Sequence, residues 1–206
     1  MKKNIIYIDG ENLAYRIGDI LVKKKKINDK NEIIKYDFRY LFSSFLTEEQ
    51  LKDSEIRYYG TRIKASGLKG DSRSRALQII ESQRRLKRSL EKQNIKFITC
   101  GTLQFRDGKK CRNCGKKTPF FQEKGVDVKM AVDIVTDSLD PKLEKIVLVS
   151  SDSDLLPAIK QVNQRGKEVE YVFADNKLNW GIVHNSTKKH NISKNTVTEG
   201  YTKANK

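Results

Sequence analysis

Four or five short apolar runs restrict this chain's fold more than any other feature: Ile5–Ile8, Ile56–Tyr59, Ile95–Thr99, Ile146–Val149 and Val169–Phe173. Runs that are apolar at successive positions bury both faces of a strand, so they require a sheet covered on both sides. Between them, Leu13–Val22, Asp37–Leu46, Ser72–Gln93, Val128–Leu139 and Leu155–Gln164 carry helical periodicity, and Gly166 is a natural stop for the last. Strand alternating with helix predicts an α/β fold with a parallel central sheet and helices on both faces. A chain of 206 residues is most simply one domain with one such core.

Charge narrows the partner. Lys and Arg number 42 against 26 Asp and Glu, a formal net charge of +16. That excess favours a polyanion, nucleic acid first and an anionic membrane surface second. No apolar stretch approaches a membrane span. The basic start Met1-Lys2-Lys3-Asn4 soon reaches Asp9 and Glu11, unlike a signal peptide. With three cysteines, an odd number, the expectation is a cytoplasmic protein without a disulfide framework. The Ser72–Gln93 helix places Ala76, Ile79, Ile80, Leu86 and Leu90 on one stripe. Arg85, Arg88 and Lys92 fall opposite, with Arg73 and Arg84 on a flank. That basic face is either simply solvated or a phosphate-binding surface.

Against this basic background, acids gather at strand ends. Asp9, Glu11 and Asn12 follow the first apolar run, and Asp152 and Asp154 follow the fourth. In open parallel sheets ligands bind beyond the carboxyl ends of the strands, so both groups belong to one edge. Helix capping explains one or two acids per helix start, but not the whole set. A further acid lies in "EKGVDVKMAVDIVTD", Glu123 to Asp137. There Val128, Met130, Ala131, Val132, Ile134 and Val135 suggest a mostly buried helix with Asp127 inside its apolar sector. Asp133 and Asp137 fall on the polar edge with Lys129 and Thr136, where Asp137 is expected to be solvated. Converging carboxylates need neutralising, and hard divalent cations such as Mg²⁺ or Mn²⁺ do so. Such metals activate water and clamp phosphoryl oxygens, so acids holding metal amid bases holding backbone suit phosphodiester hydrolysis.

Three segments, "YIDGENL", "EKGVDVKMAVDIVTDSL" and "IVLVSSDSDLLPAIKQVNQRGKEVEYV", resemble the blocks of the NYN domain, the LabA-like branch of the PIN-like nuclease superfamily. The resemblance spans most of residues 4 to 173. It implies a Rossmann-like PIN fold, a Mg²⁺ or Mn²⁺ site and ribonuclease activity. By motif, Asp9 and Asn12 match the first block, Asp127 and Asp133 the central block, and Asp152 and Asp154 the final DxD. Ser151 stands where the family more often has Gly, and Leu155 where it more often has Phe. The resulting expectation is an endoribonuclease for single-stranded RNA. In it Asp9, Asp127, Asp152, Asp154 and Asp133 hold metal, directly or through water, and Asn12 orients water or a phosphate oxygen. The rivals are a non-catalytic RNA-binding protein on the same fold and a Toprim-like phosphotransfer domain. A HAD-type phosphatase is disfavoured because Asp9-Gly10-Glu11 lacks the paired Asp.

Two segments show no clear periodicity. Cys100 to Lys124 reads as a basic insertion containing Cys111-Arg-Asn-Cys114, half of a zinc knuckle. Its remaining ligands would come from Cys100, His184, His190 or a second copy in a homodimer; otherwise Cys111 and Cys114 are free thiols. Lys109, Lys110 and Arg112 are candidates for gripping the substrate together with Arg73, Arg84, Arg85 and Arg88. Phe105, Phe120 and Phe121 either stack bases or pack in the core. Residues 176–206 read as a polar extension to a domain of residues 1–175, fraying over its last residues.

Overall fold

The computed structural model describes residues 3–28, 32–33, 36–106, 108, 114–115, 120–174 and 178–205. Among the described residues, seven strands form one sheet in the order β4-β3-β2-β1-β5-β6-β7. They are β1 (Lys3–Asp9), β2 (Ser54–Ile63), β3 (Lys96–Arg106), β4 (Phe120–Lys124), β5 (Leu143–Val149), β6 (Glu168–Ala174) and β7 (Lys188–Ile192). All neighbours pair in parallel except β3 and β4. The fold is α/β with a mostly parallel sheet, as the alternating runs predict, and is consistent with the PIN-like fold that the resemblance implies.

The apolar runs divide between the two faces of the sheet. Ile6 and Ile8 of β1 and Val147 and Val149 of β5 join the core beneath α1 (Gly10–Lys23), α2 (Phe38–Ser43), part of α4 (Gly70–Lys92) and α8 (Lys194–Ala204). Ile5, Tyr7, Ile146 and Leu148 point the other way, onto α5 (Val126–Asp137), α6 (Leu156–Gln164) and α7 (Trp180–His184). The period-two alternation thus feeds two cores from one continuous run. A short helix, α3 (Glu48–Lys52), starts at Thr47 with a reciprocal capping box to Gln50.

The insertion and the tail depart from expectation. Residues 96–106 are one strand running through Cys100, and Phe120–Lys124 returns antiparallel beside it. Phe105 and Phe121 are cross-strand partners with ring centroids 5.6 Å apart, edge to face, so they pack on each other. The far end of the chain forms α7, β7 and α8 instead of fraying, and Val197 of α8 is fully buried. β7, "KKHNI", lacks an apolar run because it is an edge strand. Its two lysines suit an edge that must not recruit further strands.

Helix α5 also differs from its reading. Only Val126, Met130 and Ile134 are buried along it, whereas Val128 and Val132 are 62% and 54% exposed. Its apolar arc is wider than the surface that covers it.

Candidate metal and nucleic-acid site

The strand order reverses between β1 and β5, and the residues that leave these two strands build the site. Asp9 ends β1 and caps α1, one carboxylate oxygen accepting from the Asn12 N–H at 3.1 Å. Its other oxygen accepts from the Ser150 hydroxyl at 2.9 Å, which ties the ends of β1 and β5 together. Gly10 makes this junction feasible. A Cβ there would lie 2.2 Å from the Tyr58 ring and 2.4 Å from the Tyr59 carbonyl oxygen, so α1 can begin this close to β2 only at glycine. The Tyr58 hydroxyl donates to the Gly10 carbonyl at 2.8 Å.

Beyond β5 the backbone is held step by step. The Asp152 N–H donates to Ser150 Oγ at 3.1 Å, and the Asp154 N–H donates to the Asp152 carboxylate at 3.0 Å. Ser151, where glycine was the commoner residue, is itself anchored. The Tyr171 hydroxyl donates to its Oγ at 3.2 Å, and the Asn179 side-chain amide donates to its carbonyl at 3.3 Å. A short 3-10 helix, Ser153–Leu155, then leads into α6. On the opposite side, Gly125 adopts φ 86° and starts α5, placing Asp127 in its first turn at the positive end of the helix dipole.

These elements bring Asp127, Asp152 and Asp154 together, with one carboxylate oxygen from each within 4.8 Å of the others. Asp9 lies beside them. Burial raises its carboxyl above the usual aspartate range, opposed by its two hydrogen bonds and reinforced by the charges of Asp152 and Asp127. Glu11 is raised too, by partial enclosure and then by Asp9. Among the described residues, no cation lies within ion-pairing distance of Asp9, Glu11, Asp127, Asp152 or Asp154. Hard oxygen donors crowded without a counter-charge fit a divalent cation. Oxygens bound at about 2.1 Å to one Mg²⁺ lie about 3 Å apart when cis and about 4 Å when trans. A triad already within 4.8 Å therefore needs little side-chain movement to share an ion.

The other sequence candidates fall in several places. Asp133 stands outside the triad: the Tyr59 hydroxyl donates to it at 2.9 Å, and Lys129 pairs with it. Asp137 is not solvated as expected. The Tyr7 hydroxyl donates to it at 2.6 Å, and Arg57 pairs with it from β2. Asn12 lines a shallow depression with Asp9, Glu11, Tyr15, Arg16 and Glu123. Arg73, Arg84, Arg85 and Arg88 are exposed on α4, Arg85 being paired with Glu81 at 3.1 Å. Lys109, Lys110, Cys111 and Arg112 lie outside the described residues. Cys114 is exposed, and burial pushes the Cys100 thiol up to about 11. Its two histidine partners for zinc are engaged elsewhere, His184 with the Trp180 carbonyl and His190 with Glu170.

Ser150, Tyr171 and Asn179 escaped the sequence reading as site residues. None belongs to a pattern of ligand residues, and their roles are recognisable only once β5 and β6 are paired. Glu123 was missed because the strand carrying it was.

Sheet, switch point and acidic edge together make an open α/β domain with a carboxylate-lined ligand edge, an arrangement consistent with the PIN-like nuclease superfamily. Within it the chain belongs to the NYN domain family, whose model matches residues 3–193. A crystal structure of a protein of unknown function from Vibrio parahaemolyticus is similar in fold, with a TM-score of 0.51 at 15% identity over 93% of each chain. An uncharacterized protein of Methanocaldococcus jannaschii is 42% identical over 50 residues, a match covering 24% of this chain and 21% of that protein. Family membership supports a nuclease role and a nucleic-acid substrate. Among the described residues, no helix is long and apolar enough to cross a membrane.

Proposed function

We propose that this chain is a divalent-metal-dependent endoribonuclease acting on single-stranded RNA. The observation that carries the reading is the grouping of Asp127, Asp152 and Asp154 within 4.8 Å, beside Asp9, with no cation among the described residues within ion-pairing distance. These acids would hold Mg²⁺ or Mn²⁺, which when bound supplies charge neutralisation at the scissile phosphate and acidifies water. Asp9 braces the site through Ser150 and Asn12 while presenting its own charge to it. The Asn12 side chain, in the same depression, is placed to orient water or a phosphate oxygen. Exposed arginines on α4 would hold the sugar-phosphate backbone, a contact that weakens steeply with salt.

The test is incubation of 5′-labelled single-stranded RNA, double-stranded RNA and single-stranded DNA with wild type and Asp152→Asn, in Mn²⁺, Mg²⁺ or EDTA. Internal cleavage of single-stranded RNA that needs both metal and Asp152, leaving a 5′-phosphate, is the expected result. RNA that is retained intact under every condition would replace this reading with a non-catalytic RNA-binding protein.

A further inference from the structure

Helix α4 does not close onto the sheet. Of its 23 residues only Ala76 and Leu90 are buried, and Ile79, Ile80 and Leu86 remain partly open. The gap beneath it is a cleft of about 350 Å³. Its floor is aromatic: Phe97 of β3 stacks on Tyr58 of β2 at 5.7 Å between centroids. Ile79 and Leu86 form the α4 wall. Polar groups enter at limited points, among them the Gln83 amide, which donates to Thr61 Oγ1 at 3.3 Å. At its mouth the cleft shares Glu11, Tyr15 and Glu123 with the depression that contains Asp9 and Asn12.

An apolar, aromatic-floored slot with a few convergent polar groups is the usual form of a small-ligand site. Continuity with the acidic edge and the exposed arginines on the same helix restrict which ligand fits. We propose that this cleft seats one unstacked nucleobase of the RNA strand, next to the phosphate held at the acidic edge, and so fixes where along the strand the cut falls. The proposal rests on the nucleic-acid reading of that edge. Phe97 supplies the aromatic surface, with the buried Tyr58 ring stacked behind it, Ile79 and Leu86 cover the base, and Gln83, backed by Thr61, meets its polar edge. Base contacts of this kind discriminate position, whereas the arginines outside contribute affinity without it.

Two measurements test the cleft separately from the chemistry. In the first, the four ribonucleoside 5′-monophosphates are titrated into wild type, Ile79→Trp and Gln83→Leu in EDTA, with binding read by calorimetry and folding by thermal melting. Ile79 lies outside the packed core, so tryptophan there should fill the cleft in a folded protein. Saturable binding to wild type is expected, lost in Ile79→Trp and weakened about tenfold in Gln83→Leu. In the second, a single abasic nucleotide is walked through a labelled RNA in Mn²⁺. Cleavage should fall about tenfold or more at one fixed distance from the cut, and Ile79→Trp should erase that dependence. Metal-dependent cleavage with neither nucleotide binding nor an abasic-sensitive position would overturn the cleft and leave the nuclease standing. Nucleotide binding that Ile79→Trp abolishes, in a protein that never cuts RNA, would uphold the cleft and overturn the nuclease.

Discussion

Acids at two places on this sheet live in opposite surroundings. Glu170 of β6 is 2% exposed, yet it accepts from the buried Lys145 ammonium at 2.8 Å and from His190 Nε2 at 2.9 Å. These partners outweigh burial and hold its carboxyl below the usual glutamate range. Glu55 is lowered likewise, to about 2, by Arg57 and Lys3, opposed by its own burial. At the switch point the reverse holds: Asp9 is raised, and its neighbours are Asp127, Asp152 and Asp154. A protein with 42 basic residues has cations to spare. Where an acid serves the fold a basic partner is built in, and where acids crowd without one the proposed metal would supply the counter-charge.

That contrast makes its largest prediction on activity. Asp152→Asn and Asp127→Asn should each lower RNA cleavage about a thousandfold or more if they help hold the metal that stabilises the reaction's charge. Melting temperatures in EDTA should stay close to that of wild type, because neither carboxylate holds a cation among the described residues and asparagine keeps an oxygen that can accept the same backbone bond. Residual cleavage above a tenth of wild type, in protein stripped of metal and reloaded with Mn²⁺, would break the assignment.

The next effect is on stability and has the opposite sign. Glu170→Gln leaves Lys145 buried beside a neutral amide, and stripping one partner from a buried pair costs about 3–5 kcal/mol. Chemical denaturation at pH 7 should show a loss of that order for Glu170→Gln and almost none for Asp152→Asn. Equal losses would mean that the two acidic regions are not different in kind.

Third comes metal linkage. A ligand that binds only the folded state stabilises it by about 2.7 kcal/mol at a hundred times its dissociation constant. Mg²⁺ or Mn²⁺ should therefore raise the wild-type melting temperature, with EDTA reversing it. The rise should vanish in Asp152→Asn and persist in Glu170→Gln.

How much of this contrast the residues themselves disclose differs between the regions. Asp9, Asp127, Asp152 and Asp154 are legible because each follows an apolar strand or opens a helix, and strand ends in a parallel sheet share one edge. Ser150 is not, since a buried serine bridging β1 and β5 looks like any loop serine until those strands are paired. Its place on the helix circumference makes Asp137 look solvated. Its partners, Arg57 and Tyr7, come from two strands that no local pattern connects to it. The same is true of Glu170, which sits in an apolar run and looks misplaced until Lys145 and His190 flank it. β7 was missed because edge strands need no apolar run, and α8 because its buried contacts are with α1 and α2 rather than the sheet. The cleft under α4 was hidden for a related reason. Periodicity gives the apolar stripe of Ile79 and Leu86 but not how far the helix stands from its neighbours.

The smallest predicted effect is on the pH dependence of stability. Glu170 has a folded carboxyl below its unfolded value of about 4.5, so its contribution is complete above that value and is lost as pH falls through the folded one. The gap between wild type and Glu170→Gln should therefore be constant from pH 7 down to about 5 and close below about 4.5. Asp9 must behave in reverse. Its folded carboxyl lies above its unfolded value, so the fold holds the extra proton and wild type loses stability as pH rises between the two. In EDTA, Asp9→Asn should match or exceed wild type at pH 7 and lose that advantage on acidification, while saturating Mg²⁺ should reverse the order at pH 7. Denaturation midpoints across pH 3–8, with and without metal, would show the two slopes crossing if the acids at the switch point await a cation that the acids elsewhere already have.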